Sequence, residues 1–331
     1  MLVNSFLKIK LIAIVSLALT TITIANIIGS YLVLPGRLAE KKIVIIKSGS
    51  STHKISIILE QDGIIQHRIL FEFISKLYGF YKPLKSGEYE FTKAISPYQV
   101  LTKLASGKSV VHRLTIAEGQ TVSEIITKIN AEDRLFGQIN LNIPEGYLMP
   151  STYFYTYGDL REKIIDEMRR GMSKALDSVM LKLKEDSPLK TRKDVLIFAS
   201  IVEKEAGNEK ERPLIAGVFI NRLKKGIKLQ ADPTVIYAVT EGKYKLNRAL
   251  SRVDLQIASK YNTYKIAGLP PGPISCPGVA SLEASVLPAK TDALYFVVDG
   301  SGGHSFSSTL QEHNMHVQRF RQRVKEQEIK K

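Results

Sequence analysis

The chain has 331 residues, of which 44% are hydrophobic and 24% are charged, so it is neither disordered throughout nor too small for two or three packed domains. Its formal net charge of +15 favours anionic partners, but the basic residues are scattered and accompany no recognisable nucleic-acid motif, so no nucleic-acid partner is predicted. The single cysteine, Cys276, excludes an intramolecular disulfide and a cysteine-rich zinc site.

An uncharged, mostly apolar stretch runs from Leu11 to Leu34, after a short N-terminal segment, 1–10. Because about 20 apolar residues cross the hydrocarbon core of a bilayer, the stretch predicts a transmembrane helix over 11–34. A cleaved signal peptide is the alternative, but its apolar region usually has only about 7–15 residues. We expect an uncleaved anchor with residues 1–10 in the cytoplasm, although basic residues on both sides mark the orientation only weakly.

Residues 41–143 have the pattern of small strand–helix units. KIVIIKSGSS alternates apolar residues as a strand does, and HKISIILEQDGI follows with helical spacing. The pattern returns later in HRLTIAEGQT and VSEIITKINAEDRL. Between the two strand–helix units, ISPYQVLTKLASGK predicts a helix that ends at Gly107. Units of this size resemble LysM-type carbohydrate-binding modules, and a generic small α+β domain is the alternative.

Residues 144–331 predict a mixed α+β domain. Thr191 and Asp194 have the spacing of a capping box, which places a helix start there, and the apolar run that follows continues that helix to Glu205. Pro213 begins another helix that stops at Gly226. ALYFVVDG predicts a late strand, and a basic helix closes the chain. The predicted fold class is therefore α+β, with an N-terminal transmembrane helix, a small LysM-like module and a larger mixed domain.

The predicted helix DVLIFASIVEKEAG carries two carboxylates, Glu203 and Glu205, at the end of an almost wholly apolar run. On a 3.6-residue period Glu205 shares the face of Phe198 and its apolar neighbours. Such neighbours disfavour the charged carboxylate and raise its pKa, which suits a general acid near neutral pH, whereas a solvated glutamate at a helix end is the alternative. Glu203 points elsewhere and is predicted to be structural or to pair with Lys204 or Arg212.

Several motifs occur together in one order along this half of the chain. They are EGYLMPSTY, ASIVEKEAG, GVFINRL, LQADPTVIYAV, YNTY, GLPPGPI and PAKTDALYFVVDGSGGHSFSSTLQEHN. In order and spacing they resemble the endolytic murein transglycosylases (the MltG, or YceG-like, family), and the resemblance runs from about Val44 to the C-terminus. It implies that residues 144–331 are the catalytic domain of a peptidoglycan lytic transglycosylase, with Glu205, the second Glu of the E-K-E run, as its catalytic acid.

The resemblance also implies the chemistry. Glu205 would protonate the glycosidic oxygen between N-acetylmuramic acid (MurNAc) and N-acetylglucosamine (GlcNAc), and an oxocarbenium-like transition state would follow. The resulting carboxylate would take the proton of the MurNAc C6 hydroxyl, which attacks C1 and closes a 1,6-anhydro ring. The reaction consumes no water and needs no second carboxylate, so the chain is predicted to be a lyase that terminates the elongation of nascent strands without a cofactor.

Polar residues in the other motifs are the candidate substrate-binding groups. They supply amides, hydroxyls and aromatic faces of the kind that bind sugar rings, although turn chemistry or packing is the alternative for each. The set comprises Asn221, Gln230, Asp232, Thr234, Tyr261, Asn262, Tyr264 and His304, with Glu203 as a supporting residue. No metal site is predicted, because His304, His313 and His316 lack a standard zinc spacing.

Two other functions stay open at this stage. A non-catalytic, membrane-anchored peptidoglycan-binding protein would use the fold as a sugar clamp, and a muramidase-type hydrolase would need a second carboxylate, for which Asp232 is the best candidate. The predicted partners are peptidoglycan glycan strands, the membrane through one N-terminal helix and, by family resemblance, peptidoglycan synthases (penicillin-binding proteins). The catalytic domain is expected on the periplasmic or extracytoplasmic side of the cell (inner) membrane.

Overall fold

A computed structural model describes residues 2–79, 81–139, 142–300 and 302–329. Met1 and residues 330–331, at the outer limits of the predicted ranges 1–10 and 144–331, lie outside these described residues. The chain forms two compact units, the first made of residues 1–112 with 156–159 and the second of 113–155 with 160–331. Helices and short strands alternate in both units, so the α+β class is confirmed, while the division at 143/144 stays a prediction.

The first helix, α1 (Leu2–Val33), contains a candidate membrane span over Leu7–Val33 with a mean hydropathy of 2.3. The hydroxyls of Thr20, Thr21 and Thr23 each donate to the carbonyl four residues earlier, at 2.8 Å. These bonds satisfy the polar groups within the helix itself, as an apolar surrounding requires. The apolar N-terminal helix predicted from the sequence is therefore confirmed, and it is compatible with anchoring in a membrane.

The rest of the first unit is a strand–helix–helix–strand arrangement followed by a helix. Its elements are β1 (Lys42–Ile46), α2 (Thr52–Gln61), α3 (Arg68–Gly79), β2 (Gly87–Phe91) and α4 (Pro97–Ser106). β1 and β2 pair antiparallel, and Val44 and Ile46 of β1 and Tyr89 and Phe91 of β2 are buried with residues of the three helices. The predicted end of α4 at Gly107 is confirmed by its left-handed backbone, whereas a LysM identity stays a prediction.

The second unit contains most of the helices. In chain order its elements are β3 (Val111–Thr115), which starts at the unit boundary, α5 (Val122–Asn130), β4 (Thr152–Thr156), α6 (Arg161–Met180), α7 (Arg192–Glu205), α8 (Arg212–Lys224), α9 (Asp232–Thr240), α10 (Val279–Val286), β5 (Tyr295–Val298), β6 (His304–Ser307) and α11 (Leu310–Ile329). β3 pairs with β4, and β5 pairs antiparallel with β6. The predicted capping box at Thr191, the helix stop near Gly226 and the late strand are confirmed.

Helix α7 is the centre of the second unit's core. All residues from Val195 to Glu203 are buried, and α7 contacts α6, α8, α9 and α10. A helix that is apolar on every side must be buried on every side, so the sequence places α7 between its neighbours. Because the helix ends at Glu205, it carries that carboxyl to the edge of the core.

Candidate active site

Glu205 is the last residue of α7 and lies at the border between core and solvent. Its neighbour Ala206 leaves the helix with an extended backbone. The Glu205 side chain is half-buried and lines a cavity of about 330 Å³. The other lining residues come from α8, α9, β5, α11 and the loops between them: Phe219, Arg222, Leu229, Gln230, Asp232, Tyr264, Tyr295, Phe296, Leu310 and His313.

The environment of Glu205 favours the protonated carboxyl. Burial, assisted by the negative charge of Asp232, raises its pKa to about 8, and the positive charge of Arg222 opposes this rise. An acid with such a pKa carries its proton at neutral pH and can donate it to a bound group. The carboxyl therefore combines the two properties of a general acid, a proton at working pH and access to a cavity.

Asp232 and Tyr264 form a hydrogen-bonded pair on the same cavity. Asp232 is the first residue of α9, and the Tyr264 hydroxyl donates to its Oδ1 at 2.6 Å. Burial and the bond to Asp232 raise the pKa of Tyr264, so its hydroxyl remains a donor at physiological pH. The tyrosine thereby fixes the carboxylate whose charge acts on Glu205.

Arg222, on α8, is the cationic group of the cavity. Its Nε donates to the Leu294 carbonyl at 2.6 Å, and its Nη1 donates to the Leu229 carbonyl at 2.8 Å. The guanidinium carbon lies 5.2 Å from the centre of the Tyr295 ring. Across the described residues, Nη2 of Arg222 has no hydrogen-bond acceptor, so this nitrogen can donate to an oxygen of a bound molecule.

Gln230 lines the cavity with an unusual backbone. Its φ is 51°, in the left-handed region that residues other than glycine rarely adopt. Its backbone amide donates to the Thr263 carbonyl at 3.2 Å. Strained backbone of this kind is concentrated at functional sites, where the surrounding structure holds it. The position brings the exposed Gln230 side chain to the cavity occupied by Glu205.

Three of the eight predicted substrate-binding residues, Gln230, Asp232 and Tyr264, thus line the cavity of Glu205. Thr234 is fully buried, and its hydroxyl is 2.8 Å from that of Thr263. Asn262 is also fully buried, and its amide nitrogen donates to two carbonyls of the preceding turn. These two side chains hold the backbone of the loop that bears Tyr264, and their contact with a sugar stays a prediction.

The other three predicted residues lie outside that cavity lining. Tyr261 is half-buried with its ring centre 4.8 Å from that of Tyr237. The Asn221 amide donates to the carbonyl of Thr291 at 2.8 Å, and the residue lines a separate cavity of about 270 Å³. His304 has its Nδ1 2.8 Å from Oε2 of Glu211, and its backbone amide donates to Oε1 of the same carboxylate at 2.8 Å. Their roles in substrate binding stay predictions.

Glu203 points into the core instead of the cavity. Its Oε1 accepts a hydrogen bond from Nη2 of Arg212 at 3.0 Å, and its Oε2 accepts one from the backbone amide of Gly278 at 2.9 Å. The same Arg212 nitrogen donates to Glu118 at 3.1 Å. The predicted pairing with Arg212 is confirmed, and it shows that two glutamates two residues apart have different environments.

Comparison with known proteins decides the family. Residues 44–319 match the model of the YceG-like family. The chain belongs to the YceG-like family. A Bacillus subtilis (strain 168) relative named endolytic murein transglycosylase is 34% identical over 307 residues, which cover 83% of this chain and 83% of the relative. A relative of the same name from Streptococcus pneumoniae serotype 2 (strain D39) is 32% identical over 312 residues.

The match to the pneumococcal relative covers 81% of this YceG-like chain but only 56% of the relative, so the chain spans little more than half of that protein. Among solved structures, the crystal structure of a YceG-like protein from Listeria monocytogenes is 35% identical and has a TM-score of 0.52. That similarity covers 84% of this chain and 99% of the Listeria chain. Family and fold thus agree over most of the chain.

Sequence reasoning missed several cavity residues of this YceG-like chain. The most consequential is Arg222, which follows the predicted Asn221 in the GVFINRL motif, and another is His313, in the LQEHN motif. Their presence in these motifs was the available signal, but nothing in the motifs says which side chain faces Glu205. Within the described ranges, no group of three or more His, Cys, Asp or Glu side chains is arranged to hold a metal ion.

Proposed function

We propose that this chain is an endolytic peptidoglycan lytic transglycosylase, a lyase of the MurNAc–GlcNAc bond in nascent glycan strands. The observation that carries the proposal is Glu205, a carboxyl with its pKa raised to about 8 that lines a cavity. The names of the Bacillus and pneumococcal relatives support the same activity and substrate. Cutting in this way would terminate strand elongation and leave a 1,6-anhydro-MurNAc end.

In the proposed reaction, Glu205 donates its proton to the glycosidic oxygen as the bond from that oxygen to C1 breaks. The positive charge that develops on the MurNAc ring is favoured by the nearby carboxylate of Asp232. The Glu205 carboxylate then takes the proton of the C6 hydroxyl, and O6 forms the new bond to C1. The proton returns to Glu205, so the enzyme is restored and no water enters. Nη2 of Arg222 would donate to a substrate oxygen in the same cavity.

Asp232 also favours a second candidate function, a muramidase-type hydrolase. A hydrolase needs two carboxylates on one site, and Asp232 lines the cavity of Glu205. In the lyase, by contrast, the sugar's own C6 hydroxyl replaces water as the nucleophile. The two functions therefore differ in the end group that they leave on the cut strand.

The product test is the mass of the strands that the purified full-length protein releases from isolated glycan. We expect ends in 1,6-anhydro-MurNAc, because the attacking oxygen belongs to the sugar. Reducing ends, each heavier by one water, would identify a hydrolase instead. Binding without any cut by the folded protein would identify a wall-binding protein.

The pH dependence gives a further expected result. Because the acid form of Glu205 is required, kcat/KM should fall as the pH rises through about 8. The negative charge of Asp232 raises the pKa of Glu205, so Asp232→Asn should lower that pKa. The alkaline limb of the pH profile should then move to lower pH, by on the order of one unit. Glu283→Gln, which removes an exposed carboxylate paired with Lys182, is the matched control and should leave the limb in place. If the alkaline limb of Asp232→Asn does not move, the charge of Asp232 does not set the pKa of the catalytic acid.

Further proposals concern the site of action. We propose that α1 anchors the chain in the cell membrane and that the catalytic domain lies on the extracytoplasmic side, where peptidoglycan is found. A small LysM-like binding module within 41–143, ahead of a catalytic domain in 144–331, is part of the same proposal, and the two-stranded sheet and helices between Lys42 and Ser106 support it. Peptidoglycan synthases are proposed as partners, since they produce the strands that such a lyase would cut.

A further inference from the structure

Helix α3 of the first unit is apolar over about half of its circumference. This apolar arc is wider than the arc that packs against the core. At about 100° per residue, Ile69, Phe73 and Leu77 cover an arc of about 80°. The residues that face the core occupy the adjoining arc of about 100°, and Phe71 and Ile74 are buried there. The polar residues of α3 share the remaining side, where Glu72 pairs with Lys76.

The first of these arcs is largely open to solvent in the described residues. Ile69 is 76% exposed, Phe73 is 54% exposed and Leu77 is 51% exposed. Single exposed apolar residues are common, but three successive turns of one helix form a contiguous patch. We call Ile69, Phe73 and Leu77 the outer face of α3. A surface of this kind is normally covered in the functional state of a protein.

The outer face is continuous with the surface of the candidate transmembrane helix. The Tyr31 hydroxyl of α1 donates to the carbonyl of Gln66 at 2.6 Å, immediately before α3 begins. One turn earlier in α1, Ile27 lines an open groove together with Ile69 and Phe73. The first turns of α3 are therefore attached to α1 within the same compact unit.

The position of Ile27 along α1 gives the level of this groove relative to the bilayer. The hydrocarbon core takes about 20 residues of a helix, and the uncharged stretch begins at Leu11, after Lys10. Counted from Leu11, those residues end near Ser30. Ile27 then lies at the last turn inside the hydrocarbon, and Tyr31 lies at the head-group level that tyrosine prefers. Ile69 and Phe73 share the groove with Ile27 and reach the same level, and Glu60, His67 and Arg68 line the groove beside them, where head groups can solvate them.

We propose that the outer face of α3 inserts into the head-group and acyl boundary of the bilayer, on the side where α1 leaves it. This inference rests on the proposed membrane anchor. The 87% exposed Tyr81, which follows the helix, suits the head-group level, while Arg68 and Lys76 are paired with Glu60 and Glu72 on the polar side of α3. The membrane therefore holds the first unit at two places, the span and α3.

Tryptophan fluorescence can test this directly, since the natural chain has no tryptophan. Three full-length variants each carry one: Phe73→Trp on the outer face, Leu19→Trp in the middle of α1, and Ile43→Trp as the matched control. Ile43 lies in the same unit and is 48% exposed, but it is on the face of β1 opposite to the buried Val44. Each variant is placed at one chain per nanodisc of phosphatidylcholine and phosphatidylglycerol, with or without brominated acyl chains.

We expect the emission of Phe73→Trp to be blue-shifted and to lose most of its intensity with brominated lipid, as that of Leu19→Trp does. Ile43→Trp should stay red-shifted and unquenched. Quenching of Leu19→Trp without quenching of Phe73→Trp would overturn the inference and leave the anchor in place. A blue shift of Phe73→Trp without quenching would mean that protein covers the face, which also overturns it.

Two further results complete the design. If Leu19→Trp is not quenched, the anchor fails and the inference fails with it. Ile69→Trp serves as a second reporter on the outer face, in case Phe73→Trp does not fold, and the same quenching is expected from it. The readout is fluorescence and not the cutting of glycan strands. None of these outcomes therefore bears on the proposed lyase activity, which the mass of the released strands tests separately.

Discussion

Replacement of Glu205 by glutamine is expected to abolish the cutting of purified glycan strands, with turnover falling by about 10²–10⁴-fold. Glutamine keeps the shape of the side chain at the end of α7 but cannot donate the proton that the glycosidic oxygen needs. It also cannot accept the proton of the C6 hydroxyl. Turnover is measured by chromatography of the released strands, and circular dichroism checks that the fold is unchanged.

Glu203→Gln is the matched control, since it makes the same change two residues earlier on α7. Glu203 binds Arg212 and the Gly278 amide inside the core, so this variant should keep most of the turnover. If both folded variants lost activity equally, the assignment of the acid between Glu205 and Glu203 would be unresolved. Residual turnover of Glu205→Gln above a few per cent would likewise move the acid to another residue.

The pH dependence of stability gives an independent readout of the same carboxyl. The folded protein binds the Glu205 proton more tightly than the unfolded chain, because the pKa rises from 4.5 to about 8 on folding. This contribution to stability is complete below pH 4.5 and is lost as the pH rises towards 8. Glu205→Gln should therefore lose less stability than the natural chain over this pH window.

The second large effect is expected from Arg212→Met, which should lower the free energy of unfolding by about 3–5 kcal/mol. The Glu203 side chain is 5% exposed and that of Arg212 is 10% exposed, so the ion pair lies almost out of water. Methionine keeps much of the volume but leaves the Glu203 carboxylate with the Gly278 amide and no cation. The loss is measured by urea denaturation of the full chain, in which a spectroscopic signal from the second unit monitors unfolding.

A double variant distinguishes the charge from the packing. Arg212→Met combined with Glu203→Gln removes both charges and keeps an oxygen that can accept the Gly278 amide, so it should recover most of the lost stability because no unpaired carboxylate remains buried. Equal destabilisation of the single and double variants would attribute the loss to packing. Lys182→Met, which breaks the exposed pair with Glu283, should cost less than about 1 kcal/mol.

The sequence by itself determined the elements that have a local cause. The capping box at Thr191, the Pro213 start and the left-handed glycine at 107 each satisfy backbone groups within a few residues, and all three elements begin or end as predicted. The length and apolarity of the first helix determined the candidate span in the same way. The helical period also placed Glu205 at the end of an apolar helix, because the 3.6-residue repeat relates it to Phe198 without reference to other elements.

Only the tertiary structure decided which polar side chains meet Glu205. Asn221 and Arg222 are adjacent on α8, yet the first binds the carbonyls of Thr291 and Ala293 and the second faces the cavity. A helical period gives the angle between two side chains but not the identity of the element packed on each side. That identity depends on contacts between distant parts of the chain, such as the bond between Asp232 and Tyr264, which local sequence rules do not encode.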